Sequence, residues 1–352
     1  MTEVCITRIA TATPPNDVHS TFLEYASGML EDQRSRAMLN YLARRSGIDH
    51  RYSYILAPDT STGLLDGDAV FRMENFPTTG KRMELFEHFA PQLLYCALDR
   101  LALSEEERRR IGHVIVTCCT GLYAPGLDFA AIQHLQLNPE TDRTMVGFMG
   151  CYAAINGLKL ARHIVRSQPD ASVLMVNLEL CSLHLQETRK LEEMLSFLLF
   201  GDGCAATLIQ AGDSGLALDG FRAITIPQTR DLIEWRIGDL GFDMDLSTKV
   251  PGELRKALRD CPTQVDPDGN NELWAVHPGG RAILDAVGDG LGLAPEKLSA
   301  SRSILQSFGN MSSATVMFVL QELMRTAQPG QYGCAMSFGP GITAETMQFH
   351  VC

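Results

Sequence analysis

Apolar and polar positions fall into blocks along this chain, and the blocks alternate in kind. HVIVTCCTG (His113–Gly121), ASVLMVNLEL (Ala171–Leu180) and CAATLIQAG (Cys204–Gly212) are short, nearly continuous apolar runs bounded by turn residues, the pattern of buried strands. Longer stretches with a helical period lie around them: RMELFEHFAPQLLYCALDRL (Arg82–Leu101), Cys151 to about Arg166, and ETRKLEEMLSFLL (Glu187–Leu199). Beyond the turn region GDSGLALDG the alternation resumes. ELWAVHPGG predicts a strand ending in a glycine pair, RAILDAVGDGLGL and SSATVMFVLQELMRTA predict helices, and YGCAMSFGPG predicts a strand entering a Gly-Pro turn. Such alternation predicts an α/β protein with covered sheets.

A faint internal repeat overlies this pattern. Gly150-Cys151-Tyr152-Ala153-Ala154 opens one predicted helix and Gly309-Asn310-Met311-Ser312-Ser313 opens another. VIVTCCTG and LWAVHPGG are likewise strands that end in functional side chains and glycine. Two related halves facing each other would bring Cys151, His277 and Asn310 towards one centre.

Composition narrows the class. The 352 residues suffice for one large domain or two packed halves, and no apolar run approaches the roughly 18–20 residues that span a bilayer. The N-terminus lacks a basic region ahead of an apolar core, so no secretory signal is expected and a reducing cytoplasm is the simplest location. Ten scattered cysteines without a C-x-x-C pair argue against a zinc site and against a disulfide scaffold. A net charge of −12 argues against a nucleic-acid partner and leaves an anionic ligand to a local basic patch. Two runs qualify: Arg44, Arg45 and Arg51 in YLARRSGIDHRYS, and Arg108 to Arg110 in EERRRIG.

Cys151 is the candidate nucleophile. A helix N-terminus favours its thiolate, and the alanines behind it leave room for a substrate. Against this stands the ordinary buried cysteine, a small hydrophobe. His277 follows an apolar strand, where sites in α/β folds gather, though a core histidine satisfied by backbone reads the same way. Asn310 precedes a long helix and fits an N-cap as well as a ligand. Together the three suit a Cys-His-Asn hydrolase, or a decarboxylative condensing enzyme in which His and Asn stabilise an enolate on a thioester.

WAVHPGGRAILDAV, SFGNMSSATVMFVL, SFGPGITAE, FGDG and the stretch around Cys151 resemble segments of type III polyketide synthases, the chalcone synthase-like family. The resemblance runs from about Ser46 to the C-terminus. It implies a thiolase-like layered αβαβα fold built from two related halves, an N-terminal one over 1–215 carrying the nucleophile and a C-terminal one over 216–352 carrying His and Asn. It implies that Cys151 accepts an acyl-CoA starter and that His277 and Asn310 drive decarboxylation of malonyl-CoA. The enolate would extend the chain iteratively to a cyclised tri- or tetraketide of pyrone or resorcinol type. No cofactor or metal beyond coenzyme A thioesters is implied, and a homodimer is. A single-condensation β-ketoacyl synthase III, working on a carrier protein, is the nearest alternative.

The resemblance also implies pocket residues. Phe200 matches a gating phenylalanine, Ser312 a serine beside the catalytic centre, and Ser196 belongs to the same pocket set. Arg45 stands where the family has a lysine on the coenzyme A phosphates, while two neighbouring basic positions read Tyr41 and Met38. Against the plant pattern, a threonine–serine pair reads Cys119-Thr120, two cavity threonines read Cys181 and His184, and a cavity glycine reads Trp235. A second gate phenylalanine reads Met244, and a methionine that crosses the dimer interface reads Ala124. Trp235 and His184 would fill cavity volume while Ala124 opens it. That balance suits a small product or, with a side tunnel, a long acyl starter. The pattern looks microbial rather than plant, and His184 is expected as a wall more than as an acid–base group.

Overall fold

The computed structural model describes residues 3–55 and 74–352. Nine strands form one sheet. From one edge their order is Asp142–Gly147, Ile111–Cys118, Ser172–Leu180, Asp202–Ala211, Val4–Ala12, Leu216–Thr225, Thr343–Val351, Tyr332–Gly339 and Leu273–Val276. Reading inward from the first edge, successive pairs are parallel, parallel, antiparallel and antiparallel. Reading inward from the other, they are parallel, antiparallel and antiparallel. The second set thus repeats the first with one edge strand fewer. The sets join where the start of Val4–Ala12 pairs with Leu216–Thr225 through Cys5↔Ala217 and Ile6↔Leu216.

Three apolar cores separate the layers. One lies between the sheet and the helices Thr79–Leu101 and Leu127–Leu135, and one around the helices Ala153–Ser167 and Thr315–Met324. The third lies under Val250–Asp260, Arg281–Leu291 and Ser299–Phe308. With the two joined strand sets as the two β layers on either side of Ala153–Ser167 and Thr315–Met324, this is the layered αβαβα arrangement expected. The helix Ala153–Ser167 is central because it buries Ala153, Ala154, Ile155, Leu158, Ala161 and Val165. Each large aliphatic side chain so buried contributes about 1.5–3 kcal/mol. Gly157 lets this helix approach the sheet, since a Cβ there would lie 2.7 Å from the Met175 sulfur.

The predicted elements are present with shifted ends. The helix expected over Glu187–Leu199 is confined to Leu191–Phe197. The Thr188 hydroxyl accepts the Lys190 N–H (3.1 Å), a local bond that competes with helix at these residues. The helix expected from Cys151 begins at Ala153, leaving Cys151 in the turn before it. Three central strands, Val4–Ala12, Leu216–Thr225 and Thr343–Val351, carry too many threonines, charges and alanines to show as apolar runs, and only pairing reveals them.

Candidate active site

Cys151 is presented by a turn that only glycine permits. Gly150 has φ +80°, and a Cβ there would lie 2.4 Å from Pro340 Cδ, so the Gly-Pro-Gly loop packs against the turn. The Ala153 N–H closes the turn on the Gly150 carbonyl (3.0 Å). The sulfur therefore stands just before the free N–H groups of a long buried helix. Burial pushes the thiol up to about 12, while hydrogen bonds from the Ser312 and Asn310 side chains favour the thiolate and the Glu179 carboxylate opposes it.

His277 leaves the strand Leu273–Val276 with its N–H on the Met336 carbonyl (2.8 Å). The side chain is buried, and neither ring nitrogen has a hydrogen-bond partner. Burial lowers its pKa to about 3, so the resting imidazole is neutral. A buried, unpartnered imidazole is costly unless a ligand supplies its partners. Burial thus disfavours imidazolium and thiolate singly.

Asn310 is locked by its backbone. Its N–H donates to Leu199 O and its carbonyl accepts from Gly201 N–H, both at 2.9 Å, which also sets Phe200 in place. Its Oδ1 accepts the Ser312 N–H (2.8 Å), and Nδ2 has a 3.5 Å contact to the Gly279 carbonyl as well as the bond that favours the Cys151 thiolate. The expected N-cap is not formed: Met311 is the cap residue of the turn Ser312–Ala314 and no side chain caps it. The oxygen is held by the backbone instead, and the NH₂ is the end that can donate.

These groups line a cavity of about 800 Å³. It gathers ten of the pocket residues named from the sequence: Phe200, Ser196 and Arg45, then Cys119, Thr120, Cys181 and His184, then Trp235, Met244 and Ser312. Trp235 and Met244 are cross-strand partners in the hairpin Ile233–Gly238/Gly241–Leu246, so they share a face. The indole N–H donates to the Cys119 carbonyl (3.0 Å). Ala124 is exposed on the single chain and does not line the cavity.

His184 is a wall. Its Nε2 lies 2.6 Å from the Thr120 carbonyl, so it carries the proton, and Nδ1 accepts the Phe242 N–H (3.1 Å). The ring stacks on Phe242 (4.1 Å, 14°) and meets Trp235 edge-on (5.8 Å). Both nitrogens are occupied, and burial lowers its pKa from 6.5 to about 3. As pH falls, the unfolded chain takes up this proton before the folded one does. The imidazole therefore lowers stability progressively between these values, by about 1.4 kcal/mol per pH unit. His184→Gln is expected to gain on the wild type by that slope as urea unfolding is repeated from about pH 6.5 down to about pH 4.5. A difference independent of pH would refute the neutral assignment.

The two basic runs separate. Arg45 lines the cavity, its Nη1 2.6 Å from the Tyr41 hydroxyl. Arg51 also borders the cavity but is a buried strut. Its Nε donates to His19 Nδ1 (2.9 Å) and its Nη1 to the carbonyls of Phe197 (2.8 Å) and Phe200 (2.6 Å). Arg108 to Arg110 lie on the short surface helix Glu105–Arg110, away from the cavity.

Sequence reasoning missed Glu179. This fully buried carboxylate accepts from Cys119 N–H (2.9 Å), Thr120 Oγ1 (2.8 Å) and Ser313 Oγ (2.6 Å), and burial raises its pKa. One charge inside the apolar run VLMVNLEL was the available signal.

Comparison with known proteins gives the family. The models of the N-terminal and C-terminal domains of chalcone and stilbene synthases match residues 3–213 and 221–352. The α-pyrone synthesis polyketide synthase-like protein Pks18 of Mycobacterium tuberculosis is 31% identical over 367 aligned positions, covering 99% of this chain and 92% of that protein. Bisdemethoxycurcumin synthase of Oryza sativa subsp. japonica is 31% identical over 371 positions, covering 97% and 91%. PKS-I from the brown alga Ectocarpus siliculosus superposes with a TM-score of 0.89 at 27% identity, covering 100% of this chain and 99% of that one. The C-terminal type III polyketide synthase domain of Steely1 from Dictyostelium shares the fold, with a TM-score of 0.87 at 21% identity and 99% of each chain covered. With its two halves matched in full, the chain belongs to the chalcone and stilbene synthase family, the type III polyketide synthases.

Proposed function

We propose that this polyketide synthase loads an acyl-CoA starter on Cys151, extends it with malonyl-CoA, and releases a cyclised tri- or tetraketide of pyrone or resorcinol type. The observation that carries the reading is the buried His277 with both ring nitrogens unpartnered, in one cavity with Cys151 and the Asn310 amide. In loading, the Cys151 sulfur attacks the thioester carbonyl and coenzyme A leaves as its thiol. In extension, His277 Nε2–H and Asn310 Nδ2–H donate to the malonyl thioester oxygen as carbon dioxide departs. The charge developing on that oxygen is held where water is scarce. The enolate carbon then attacks the Cys151 thioester. Phe200 gates the passage and Arg45 holds coenzyme A phosphates in this scheme.

The aromatic wall of Trp235, His184 and Phe242 supports a short product. A homodimer would use the free sheet edge Asp142–Gly147, where Leu122 and Met145 flank Gly147 and are both exposed. No helix among the described residues is long and apolar enough to cross a membrane, and the reading places the enzyme in the cytoplasm without a cofactor.

The test is a mass-spectrometric product profile with acyl-CoA starters of graded length and malonyl-CoA alone. Tri- and tetraketide masses are expected, and Trp235→Gly is expected to lengthen or redirect the product. A requirement for a carrier protein with one condensation, or free acid released without malonyl-CoA consumption, would overturn the function. An unchanged profile in Trp235→Gly would overturn the cavity assignment alone.

A further inference from the structure

A second group of reactive side chains lies where the two halves of the sheet join. Cys5 on Val4–Ala12 and His350 on Thr343–Val351 both pair with the same residue, Ala217, on the strand between them. Paired residues in antiparallel strands point to one face, and so do residues two apart on a strand. Glu3 and Cys5, His350 and Cys352, and Ala217 and Asp219 therefore share that face. The small Ala217 side chain leaves space between the flanking strands.

The side chains converge over it. One ligand atom each from Glu3, His350 and Cys352 lies within 4.8 Å of the other two. The individual edges are 3.6 Å from Cys352 Sγ to Glu3 Oε2, 3.6 Å from His350 Nε2 to Glu3 Oε1, and 4.0 Å from Cys352 Sγ to His350 Nε2. Cys5 Sγ stands 3.7 Å from Cys352 Sγ. Tetrahedral zinc with sulfur, nitrogen and oxygen donors requires donor–donor edges of about 3.4–3.8 Å. His350 is oriented as zinc-ligating histidines are. Its Nδ1 lies 2.9 and 3.0 Å from the two Asp219 carboxylate oxygens, which leaves Nε2 as the nitrogen aimed at the cluster.

We propose that Glu3, His350 and Cys352 form a three-ligand zinc site with an open fourth position that staples the strand Val4–Ala12 to Thr343–Val351, while the Cys5 thiol beside it is directed at the Gly212 carbonyl (3.3 Å). A thiol, an imidazole and a carboxylate are the donor set of zinc rather than of magnesium or calcium. The frame is firm: Gly212 N–H donates to the Glu3 carbonyl (3.1 Å) and Cys352 N–H to the Gly215 carbonyl (3.0 Å). The spacings Glu-x-Cys and His-x-Cys lie at opposite ends of the chain, which is why the absence of a C-x-x-C pair did not reveal them. None of these residues lines the catalytic cavity.

The test uses the full chain without a histidine tag, reduced and stripped with a chelator, then titrated with Co²⁺. A sulfur-to-cobalt charge-transfer band saturating at one Co²⁺ per chain and displaced by one Zn²⁺ is expected. Cys352→Ser is expected to remove tight binding. Asp219→Asn, which keeps all three donors, is expected to weaken it about 10–100-fold. Cys5→Ser is expected to keep one Co²⁺ with an unchanged band, and all three variants are expected to retain condensation activity. No charge-transfer band at equimolar metal, or an equal band in Cys352→Ser, overturns the site. So does a Cys5–Cys352 cross-linked peptide from unreduced protein that binds no cobalt after reduction.

Discussion

Cys151→Ala is expected to abolish starter-dependent condensation, with turnover falling by at least about 10³-fold, because no other group can hold the growing chain as a thioester. Nine other cysteines are present, and two of them, Cys119 and Cys181, line the same cavity. Neither can substitute. The Cys119 sulfur is engaged by the Gly150 N–H (3.1 Å), and burial with the Glu179 charge beside them raises both thiols well above their ordinary value. The measurement is the intact mass of the protein after incubation with acyl-CoA, followed by product analysis. In the proposed scheme malonyl-CoA decarboxylation uses His277 and Asn310 instead, so Cys151→Ala is expected to retain it and Asn310→Ala to lose it. A covalent acyl adduct on Cys151→Ala, or turnover close to wild type, would refute the nucleophile.

The largest effect on stability is expected from Arg51→Met. The change keeps much of the side-chain volume and removes donors from the Phe197 and Phe200 carbonyls and from His19 Nδ1. It also removes the positive charge that helps to restrain Asp202, whose pKa burial already raises to about 7. Leaving buried acceptors without donors costs about 1–3 kcal/mol each, and some will find other partners. A loss of about 2–5 kcal/mol is expected from the urea unfolding midpoint at constant slope. A loss below about 1 kcal/mol would show that Arg51 is not the strut holding the Phe200 segment.

Much of the site was legible because its chemistry is carried by short, local signals. Gly150-Cys151 ahead of a helix, a strand ending in His277, and Gly309-Asn310 ahead of another helix each announce a side chain at an element end. What could not be read is how those ends meet. Asn310 illustrates the difference: its place ahead of a helix suggests a cap, yet Met311 is the cap residue, and only the Ser312 N–H on its Oδ1 shows which end of the amide is left to donate. Arg51 shows the reverse. In sequence it is one of three neighbouring cations with Arg44 and Arg45, yet folding spends it on backbone carbonyls. Glu179 hid in an apolar run because a buried charge has no periodicity. The hydroxyls and the N–H group that donate to it come from residues 59 to 134 positions away.

The changes at His184 and Trp235 are read from the family resemblance, and by itself the sequence determined the α/β alternation and the Cys, His and Asn candidates. These follow from local composition and periodicity, which every chain segment carries on its own. Tertiary structure decided the rest. It set three unassuming strands at the centre of the sheet and turned His184 into a fixed wall by occupying both its nitrogens. It left His277 with neither nitrogen satisfied, and it stacked Glu3, Cys5, His350 and Cys352 over one alanine. Each of these depends on which distant backbone groups become neighbours, and strand pairing across hundreds of residues is not written in any one of the segments it joins.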